Sequence, residues 1–139
     1  MGRGILVIED DERLRGLMRD WLQIVFLASD VLIAPRGGAV PAAAEQDPRV
    51  VLIDLDSLEA ERWDVLSRLK TAAPDADIVA LTVDDHAALR QDVEAAGVMA
   101  CVRKSDLSDR LIPTLTALLD GSGGAARDQQ PKAVVGIYD

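Results

Sequence analysis

The chain has 139 residues with a formal charge of −9 at pH 7, and 49% of its residues are hydrophobic. This length allows one domain with its own core, and this composition excludes a disordered chain. The negative charge argues against a nucleic-acid surface, which would need lysine and arginine to neutralise phosphates. The single cysteine, Cys101, cannot form an internal disulfide, so we expect a reducing, cytoplasmic location. No apolar stretch reaches the roughly 18 residues of a membrane span, and we expect no membrane partner.

Short apolar runs alternate with helical patterns through most of the sequence. The apolar runs lack the alternation of half-buried strands and suit strands buried on both faces of a sheet. They lie at residues 5–8, 31–34, 50–53, 78–81 and 98–102, and the helical patterns lie at 14–25, 37–46, 58–69, 84–96 and 107–119. Five strand–helix units in this order predict a parallel sheet with helices on both faces, joined by right-handed crossovers.

Acidic residues, glycine and proline mark the ends of the last two predicted helices. Asp84 and Asp85 suit a cap for the fourth helix, with His86 facing solvent from inside it. Gly97 suits the C-terminal stop of that helix. Pro113 would cost on the order of 3 kcal/mol inside the fifth helix, so we expect a kink or a late start there.

A change in composition divides the chain after residue 120. The glycine-rich run at 121–124 ends the folded part. We expect one domain over residues 1–120 and a flexible C-terminal tail over residues 121–139. We expect no DNA-binding domain in so short a tail, so the domain would act through protein contacts or be an excised part of a longer chain.

Polar side chains stand where four of the five predicted strands end. They are Glu9 and Asp10 after the first strand, Asp54 after the third, Thr82 after the fourth, and Arg103 and Lys104 after the fifth. Parallel strands end at the same edge of a sheet, and ligands of open α/β folds collect at that edge. We therefore expect these side chains to lie close together.

Clustered acids at this edge call for a cation. Two carboxylates about 4 Å apart repel by roughly 4 kcal/mol at an effective dielectric of about 20. Mg²⁺ relieves such repulsion and takes one or two carboxylates together with phosphate oxygens. Lys104 and Thr82 would add a positive charge and a hydroxyl donor for further phosphoryl oxygens. A metal, a lysine and a hydroxyl around one acid indicate phosphoryl transfer, with Asp54 as the nucleophile.

Four short motifs carry a resemblance to a known family. They are residues 5–11 (ILVIEDD), 51–54 (VLID), 80–82 (ALT) and 103–104 (RK). In this order and at this spacing, the sequence resembles the receiver domains of two-component response regulators over residues 4–120. The resemblance implies a flavodoxin-like (βα)5 fold, a doubly wound α/β structure whose five parallel strands lie in the order 2-1-3-4-5.

The resemblance also implies roles for the residues at the strand ends. Asp54 would accept a phosphoryl group, with Mg²⁺ as cofactor, from a sensor histidine kinase or a histidine phosphotransfer protein. Thr82 would be the switch hydroxyl, and Lys104 would contact the phosphoryl group. The implied metal ligands are Asp10 directly, Glu9 mainly through water, Asp54, and the backbone carbonyl of Asp56. The phosphorylated domain would switch conformation to control a partner or output domain, and a homodimer formed through its last two helices is one such arrangement.

Three positions depart from the family's pattern. Leu58 stands where a proline is usual, Ser105 stands where a proline usually follows the lysine, and Cys101 stands where a tyrosine or phenylalanine usually changes rotamer. These changes concern the output of the domain rather than the chemistry of its site.

Three other interpretations remain open. Residues 54–57 (DLDS) are similar to some receivers of ANTAR-type RNA-binding antiterminators, although the helical RNA-binding extension is not seen in this sequence. A small Mg²⁺-dependent phosphatase would use Asp54 as nucleophile and Asp56 as general acid. A pseudo-receiver would only bind partners. Turnover of a phosphomonoester would favour the enzyme, and one stable phosphoryl group per chain would favour the receiver.

Overall fold

The computed structural model of the protein describes residues 4–83 and 86–120, so the predicted tail at 121–139 lies outside the described residues. Five parallel strands form one sheet in the order β2-β1-β3-β4-β5. They are β1 (Ile5–Ile8), β2 (Val31–Ala34), β3 (Val50–Asp54), β4 (Asp77–Thr82) and β5 (Val98–Arg103). The predicted fold class and strand order are confirmed.

Helices connect the strands and cover both faces of the sheet. They are α1 (Glu12–Val25), α2 (Ala39–Gln46), α3 (Arg62–Ala72), α4 (Ala87–Ala95) and α5 (Ile112–Leu119). Short stretches of 3-10 helix precede α2 at Arg36–Gly38 and α3 at Asp56–Glu61, and another follows β5 at Lys104–Asp106. Within residues 4–83 and 86–120, no helix has the length and apolar character needed to cross a membrane.

Alternate side chains of the central strands pack into two hydrophobic cores, one on each face of the sheet. In β1, Leu6 and Ile8 join one core, whereas Ile5 and Val7 join the other. Helices α2, α3 and α4 complete the first core, and α1 and α5 complete the second. Every residue of β1, β3 and β4 is buried, and each large apolar side chain contributes roughly 1.5–3 kcal/mol. The sheet is therefore a rigid support for the side chains at its carboxyl edge.

The turn between β1 and α1 is fixed by a helix cap. Oδ1 of Asp11 accepts hydrogen bonds from the backbone N–H groups of Arg13 at 3.0 Å and Leu14 at 3.1 Å. These bonds satisfy two of the amide groups that a helix leaves unpaired at its start. Glu9 and Asp10 lie in the short turn that this cap holds beside the sheet.

The start of α4 differs from the prediction. The helix begins at Ala87 rather than at residue 84, and His86 is its cap rather than a residue inside it. Nδ1 of His86 accepts a hydrogen bond from the backbone N–H of Leu89 at 3.1 Å, so the exposed imidazole takes the role expected of the acids. The predicted cap at Asp84 and Asp85 lies outside the described residues. Gly97 ends the helix with a φ of +92°, as predicted.

The last helix starts late, as Pro113 predicted. A wide π-helical turn spans Leu107–Leu111, and α5 begins only at Ile112. Pro113 thus stands in the first turn of α5, where its missing N–H would have had no partner in the helix.

Candidate functional site

The strand pairing brings the predicted polar residues to one edge of the sheet. Asp54 ends β3 and pairs with Leu81 of β4, whose next residue is Thr82. Thr82 in turn pairs with Arg103, the last residue of β5, and Lys104 follows directly. The register therefore places the acid, the hydroxyl and the lysine on three neighbouring strands at the same level.

Lys104 joins two carboxylates. Its Nζ lies 2.8 Å from Oδ1 of Asp54 and 3.3 Å from Oδ2 of Asp56. The Asp54 side chain is only 8% exposed, and its Oδ1 also accepts the backbone N–H of Asp56 at 3.1 Å. Burial acts to lower the pKa of Lys104, but the hydrogen bonds and charges of Asp54 and Asp56 outweigh it, so the pKa is raised. The site therefore holds the ammonium form of the lysine firmly.

Glu9 meets Asp54 in a buried place. The Glu9 residue is 5% exposed. Its burial raises the pKa of the Glu9 carboxyl, and the adjacent Asp54 carboxylate raises it further by charge and by a hydrogen bond. The backbone N–H of Asp11, which donates to Oε2 of Glu9 at 3.2 Å, opposes that rise. Two carboxyl groups thus share a space that favours a proton or a cation between them.

Asp10 is directed to a different partner. Its Oδ1 accepts the backbone N–H of Arg36 at 2.6 Å, and its Oδ2 lies 3.6 Å from Nε of Arg36. The same guanidinium donates through an NH1 group to the backbone carbonyl of Ser57 at 2.7 Å, which links the turns after β2 and β3. Across residues 4–83 and 86–120, no three acidic, histidine or cysteine side chains gather closely enough to hold a metal ion. The structure thus joins Glu9 with Asp54 and leaves Asp10 on Arg36.

The Asp56 side chain makes contacts that the sequence analysis missed. Its Oδ1 accepts a hydrogen bond from Oγ1 of Thr82 at 3.0 Å, and its Oδ2 accepts one from the backbone N–H of Val83 at 2.9 Å. With Lys104, three donors therefore meet one carboxylate. The resemblance to receivers implies a role only for the backbone carbonyl of Asp56. The Asp56 side chain could have been found from the sequence, because it is an acid two positions after Asp54. The Val83 backbone N–H could not, because every residue except proline carries such a group.

The donor set fits a hard divalent cation in its chemistry. Such ions take carboxylate and carbonyl oxygens, and Glu9, Asp54 and the Asp56 carbonyl offer these at one edge. The pKa of Glu9 is raised first by burial and then by the charge of Asp54, and a cation would relieve that second contribution. Asp10 could join them by giving up the guanidinium of Arg36, and that ion pair is weak because both of its side chains are more than a third exposed.

Comparison with known proteins gives the fold. No family model matches the sequence, and no curated protein sequence matches it. Solved structures do match. The chemotaxis protein CheY4 of Vibrio cholerae superposes with a TM-score of 0.73 at 18% identity, over 86% of this chain and all of that one (100%). The chain has the receiver-domain fold.

Two further structures carry the same fold. The signal receiver domain of a DNA-binding response regulator (merR) from Colwellia psychrerythraea 34H matches with a TM-score of 0.69 at 23% identity, over 82% of this chain and 98% of that one. A response regulator from Burkholderia pseudomallei, with a phosphorylated aspartic acid, calcium ion and citrate, matches with a TM-score of 0.70 at 19% identity, over 93% of this chain and 73% of that one. The receiver fold therefore recurs here although few residues are shared.

Proposed function

We propose that this chain is the receiver of a phosphorelay and that Asp54 accepts the phosphoryl group. The observation that carries the proposal is the Asp54 carboxylate, 8% exposed at the carboxyl end of β3, with Nζ of Lys104 at 2.8 Å and Thr82 on the next strand. The same edge of the sheet serves ligands in open α/β folds generally. The receiver fold of the solved neighbours raises this function above other uses of the fold.

The chemistry needs one nucleophile and a way to balance charge. A carboxylate oxygen of Asp54 attacks the phosphorus of a phosphohistidine on a histidine kinase or a histidine phosphotransfer protein. The P–N bond breaks as the acyl phosphate forms, and the leaving imidazole takes up a proton. Lys104 and the Thr82 hydroxyl stabilise the negative oxygens of the transferred group. Attack of water on the acyl phosphate later releases inorganic phosphate and restores the Asp54 carboxylate.

The proposal includes Mg²⁺. Glu9, Asp10, Asp54 and the backbone carbonyl of Asp56 would hold it, and the bound ion would neutralise charge on the phosphoryl oxygens. The pairing of Glu9 with Asp54 supports a cation at this place. The Burkholderia pseudomallei neighbour, whose structure carries a calcium ion and a phosphorylated aspartic acid, gives a parallel for both parts of the proposal.

The output would be a shift between two conformations that phosphorylation biases. We propose protein partners for this switch, namely the kinase upstream and a target or output domain downstream, with dimerisation through α4 and α5 as one route. The acidic charge of −9 argues against nucleic acid as a direct partner of this domain. We place this chemistry in the cytoplasm, where kinases of this kind would deliver the phosphoryl group.

The phosphatase alternative is less well supported. It needs Asp56 to donate a proton as a general acid, whereas its contacts with Thr82, Val83 and Lys104 all use it as an acceptor. Turnover of p-nitrophenyl phosphate would favour that enzyme over the receiver.

Acetyl phosphate with Mg²⁺ tests the proposed function. The wild-type chain should gain one hydroxylamine-labile phosphoryl group by intact mass spectrometry, and Asp54→Asn should gain none. Asp64→Asn is the matched control, because Asp64 is an exposed acid on α3 whose side chain is 72% accessible. Labelling of Asp54→Asn at the wild-type level would mean that another residue is the acceptor.

A further inference from the structure

Three donors from two neighbouring strand ends surround the carboxylate of Asp56. Oγ1 of Thr82 lies 3.0 Å from Oδ1, while the backbone N of Val83 and Nζ of Lys104 lie 2.9 Å and 3.3 Å from Oδ2. We call the space bounded by these three donor atoms the anion pocket. A cation, a hydroxyl and a backbone amide that converge on one point form a strong site for negatively charged oxygens.

The anion pocket adjoins the acceptor. The same Nζ that contacts Asp56 lies 2.8 Å from Oδ1 of Asp54. A phosphoryl group bonded to Asp54 would therefore carry its oxygens next to the donors that Asp56 now engages. Two anionic groups cannot fill that space together, because both would need the same hydrogen atoms and would repel each other.

We propose that the Asp56 carboxylate is an internal competitor of the phosphoryl group for the anion pocket. This inference rests on the proposed function and adds a regulatory role for the side chain of Asp56. Phosphorylation of Asp54 requires Asp56 to leave the anion pocket, which slows the entry of the phosphoryl group. The same carboxylate keeps the three donors arranged around a negative charge before any phosphoryl group arrives.

The competition sets the direction of each substitution at Asp56. Asp56→Ala empties the anion pocket, and Asp56→Asn keeps the shape of the side chain but removes its charge. Both should speed phosphorylation by acetyl phosphate, Asp56→Ala by on the order of tenfold, which is the factor expected for loss of one charge-assisted hydrogen bond. The isosteric variant keeps the inference testable if the alanine variant folds poorly.

Asp106→Ala is the matched control. Asp106 is an acid at the same edge of the sheet, with a side chain that is 24% exposed, but it pairs with Nε of Arg103 at 3.1 Å. Its removal changes the net charge as Asp56→Ala does and leaves the anion pocket intact. A rate increase in Asp106→Ala equal to that in Asp56→Ala would assign the effect to net charge and overturn the inference.

A second readout does not depend on phosphorylation. The amide resonance of Val83 in the ligand-free protein should move markedly in Asp56→Ala and stay in place in Asp106→Ala. An unchanged Val83 resonance in Asp56→Ala would overturn the inference, because the carboxylate would then not bind this amide. Addition of beryllofluoride with Mg²⁺ should return the resonance of Asp56→Ala toward its wild-type position, since an anion again fills the pocket.

Failure of the inference can be told from failure of the proposed function. If the proposed function is wrong, the wild-type chain itself takes up no phosphoryl group from acetyl phosphate. If only the inference is wrong, the wild type is labelled on Asp54, and Asp56→Ala and Asp56→Asn are labelled no faster.

Discussion

Asp10 lies in the turn after β1 and Asp56 lies in the turn after β3, close to Asp54, and the two acids are held in different ways. Asp10 is held by one residue, Arg36, through its backbone N–H at 2.6 Å and its Nε at 3.6 Å, and the Asp10 side chain is 42% exposed. Asp56 is 28% exposed and has three donors within 3.3 Å, one of them a backbone amide. Asp10 is therefore held by a single, partly exposed residue, whereas Asp56 is held by three donors from two neighbouring strand ends.

This contrast divides the site into two halves with different stiffness. An exposed ion pair contributes only about 0–1 kcal/mol, so Oδ2 of Asp10 can exchange the guanidinium of Arg36 for a cation at little cost, while Oδ1 keeps the backbone N–H of Arg36. The donors around Asp56 follow from the pairing of β4 with β5 and from a backbone position that no side-chain rotation can remove. The anion side of the site, which is Asp56 with its three donors, is thus arranged in advance. The cation side, which is Glu9 with Asp10, is assembled by a side-chain movement of Asp10.

Loss of Lys104 should produce the largest effect on stability. Lys104→Met leaves the carboxylates of Asp54 and Asp56 without their shared cation, next to the buried Glu9. We expect the free energy of unfolding at pH 7 to fall by about 2 kcal/mol, less than for a fully buried pair because the Lys104 side chain is 30% exposed. Urea denaturation in metal-free buffer measures the change.

Arg68→Met is the control for that measurement. Arg68 and Asp64 form an i,i+4 pair on α3 at 3.8 Å, with both side chains well exposed. Its loss should change the free energy of unfolding by less than about 0.5 kcal/mol. Equal losses in the two variants would mean that the anion side is no better organised than an ordinary surface.

Glu9→Gln should stabilise the protein at neutral pH. The pKa of Glu9 is raised above its usual 4.5 by burial and by Asp54, so the folded chain binds this proton more tightly than the unfolded chain. Stability then falls as the pH rises through the window above 4.5 in the wild type. The glutamine cannot ionise and escapes that loss. Its unfolding midpoint should exceed the wild-type midpoint by a few degrees at neutral pH.

Thermal unfolding at a series of pH values checks whether Glu9→Gln raises the unfolding midpoint. The difference between Glu9→Gln and wild type should be small below pH 4.5, grow above it and then level off. Glu45→Gln on the exposed face of α2 should track the wild type throughout. A lower midpoint for Glu9→Gln at neutral pH would show that the Glu9 carboxylate is stabilised in the fold rather than crowded.

The fold could be predicted well because its signals are local. Uninterrupted apolar runs identified the five strands, and their alternation with helical patterns implied the parallel sheet. Pro113 predicted the late start of α5, because proline is tolerated only in the first turn of a helix. The start of α4 was misplaced because the cap is an imidazole nitrogen of His86, and histidine is a rare cap beside aspartate and asparagine.

The site could be predicted only in part. Topology alone brings the polar strand ends to one edge, so the composition of the site followed from the sequence. The directions of Asp10 and Asp56 did not follow, because they depend on partners that are distant in sequence. Arg36 reaches Asp10 from the turn after β2, and the Val83 amide has no side-chain identity to read.

Release of Asp10 should produce the smallest effect. Arg36→Ala removes the guanidinium partner of Asp10, so the affinity for Mg²⁺ should rise by up to about fivefold, the factor that corresponds to an exposed ion pair of about 1 kcal/mol. Asp10→Asn should instead weaken Mg²⁺ binding strongly. Because Arg36 also binds the Ser57 carbonyl at 2.7 Å, the double variant Arg36→Ala with Asp10→Asn separates the two contacts. If the gain in Mg²⁺ affinity comes from freeing Asp10, titration calorimetry should find that the double variant binds Mg²⁺ no more tightly than Asp10→Asn alone. A gain that persists there would mean that Arg36 acts through the turn after β3, and the cation side would then be as firmly built into the fold as the anion side.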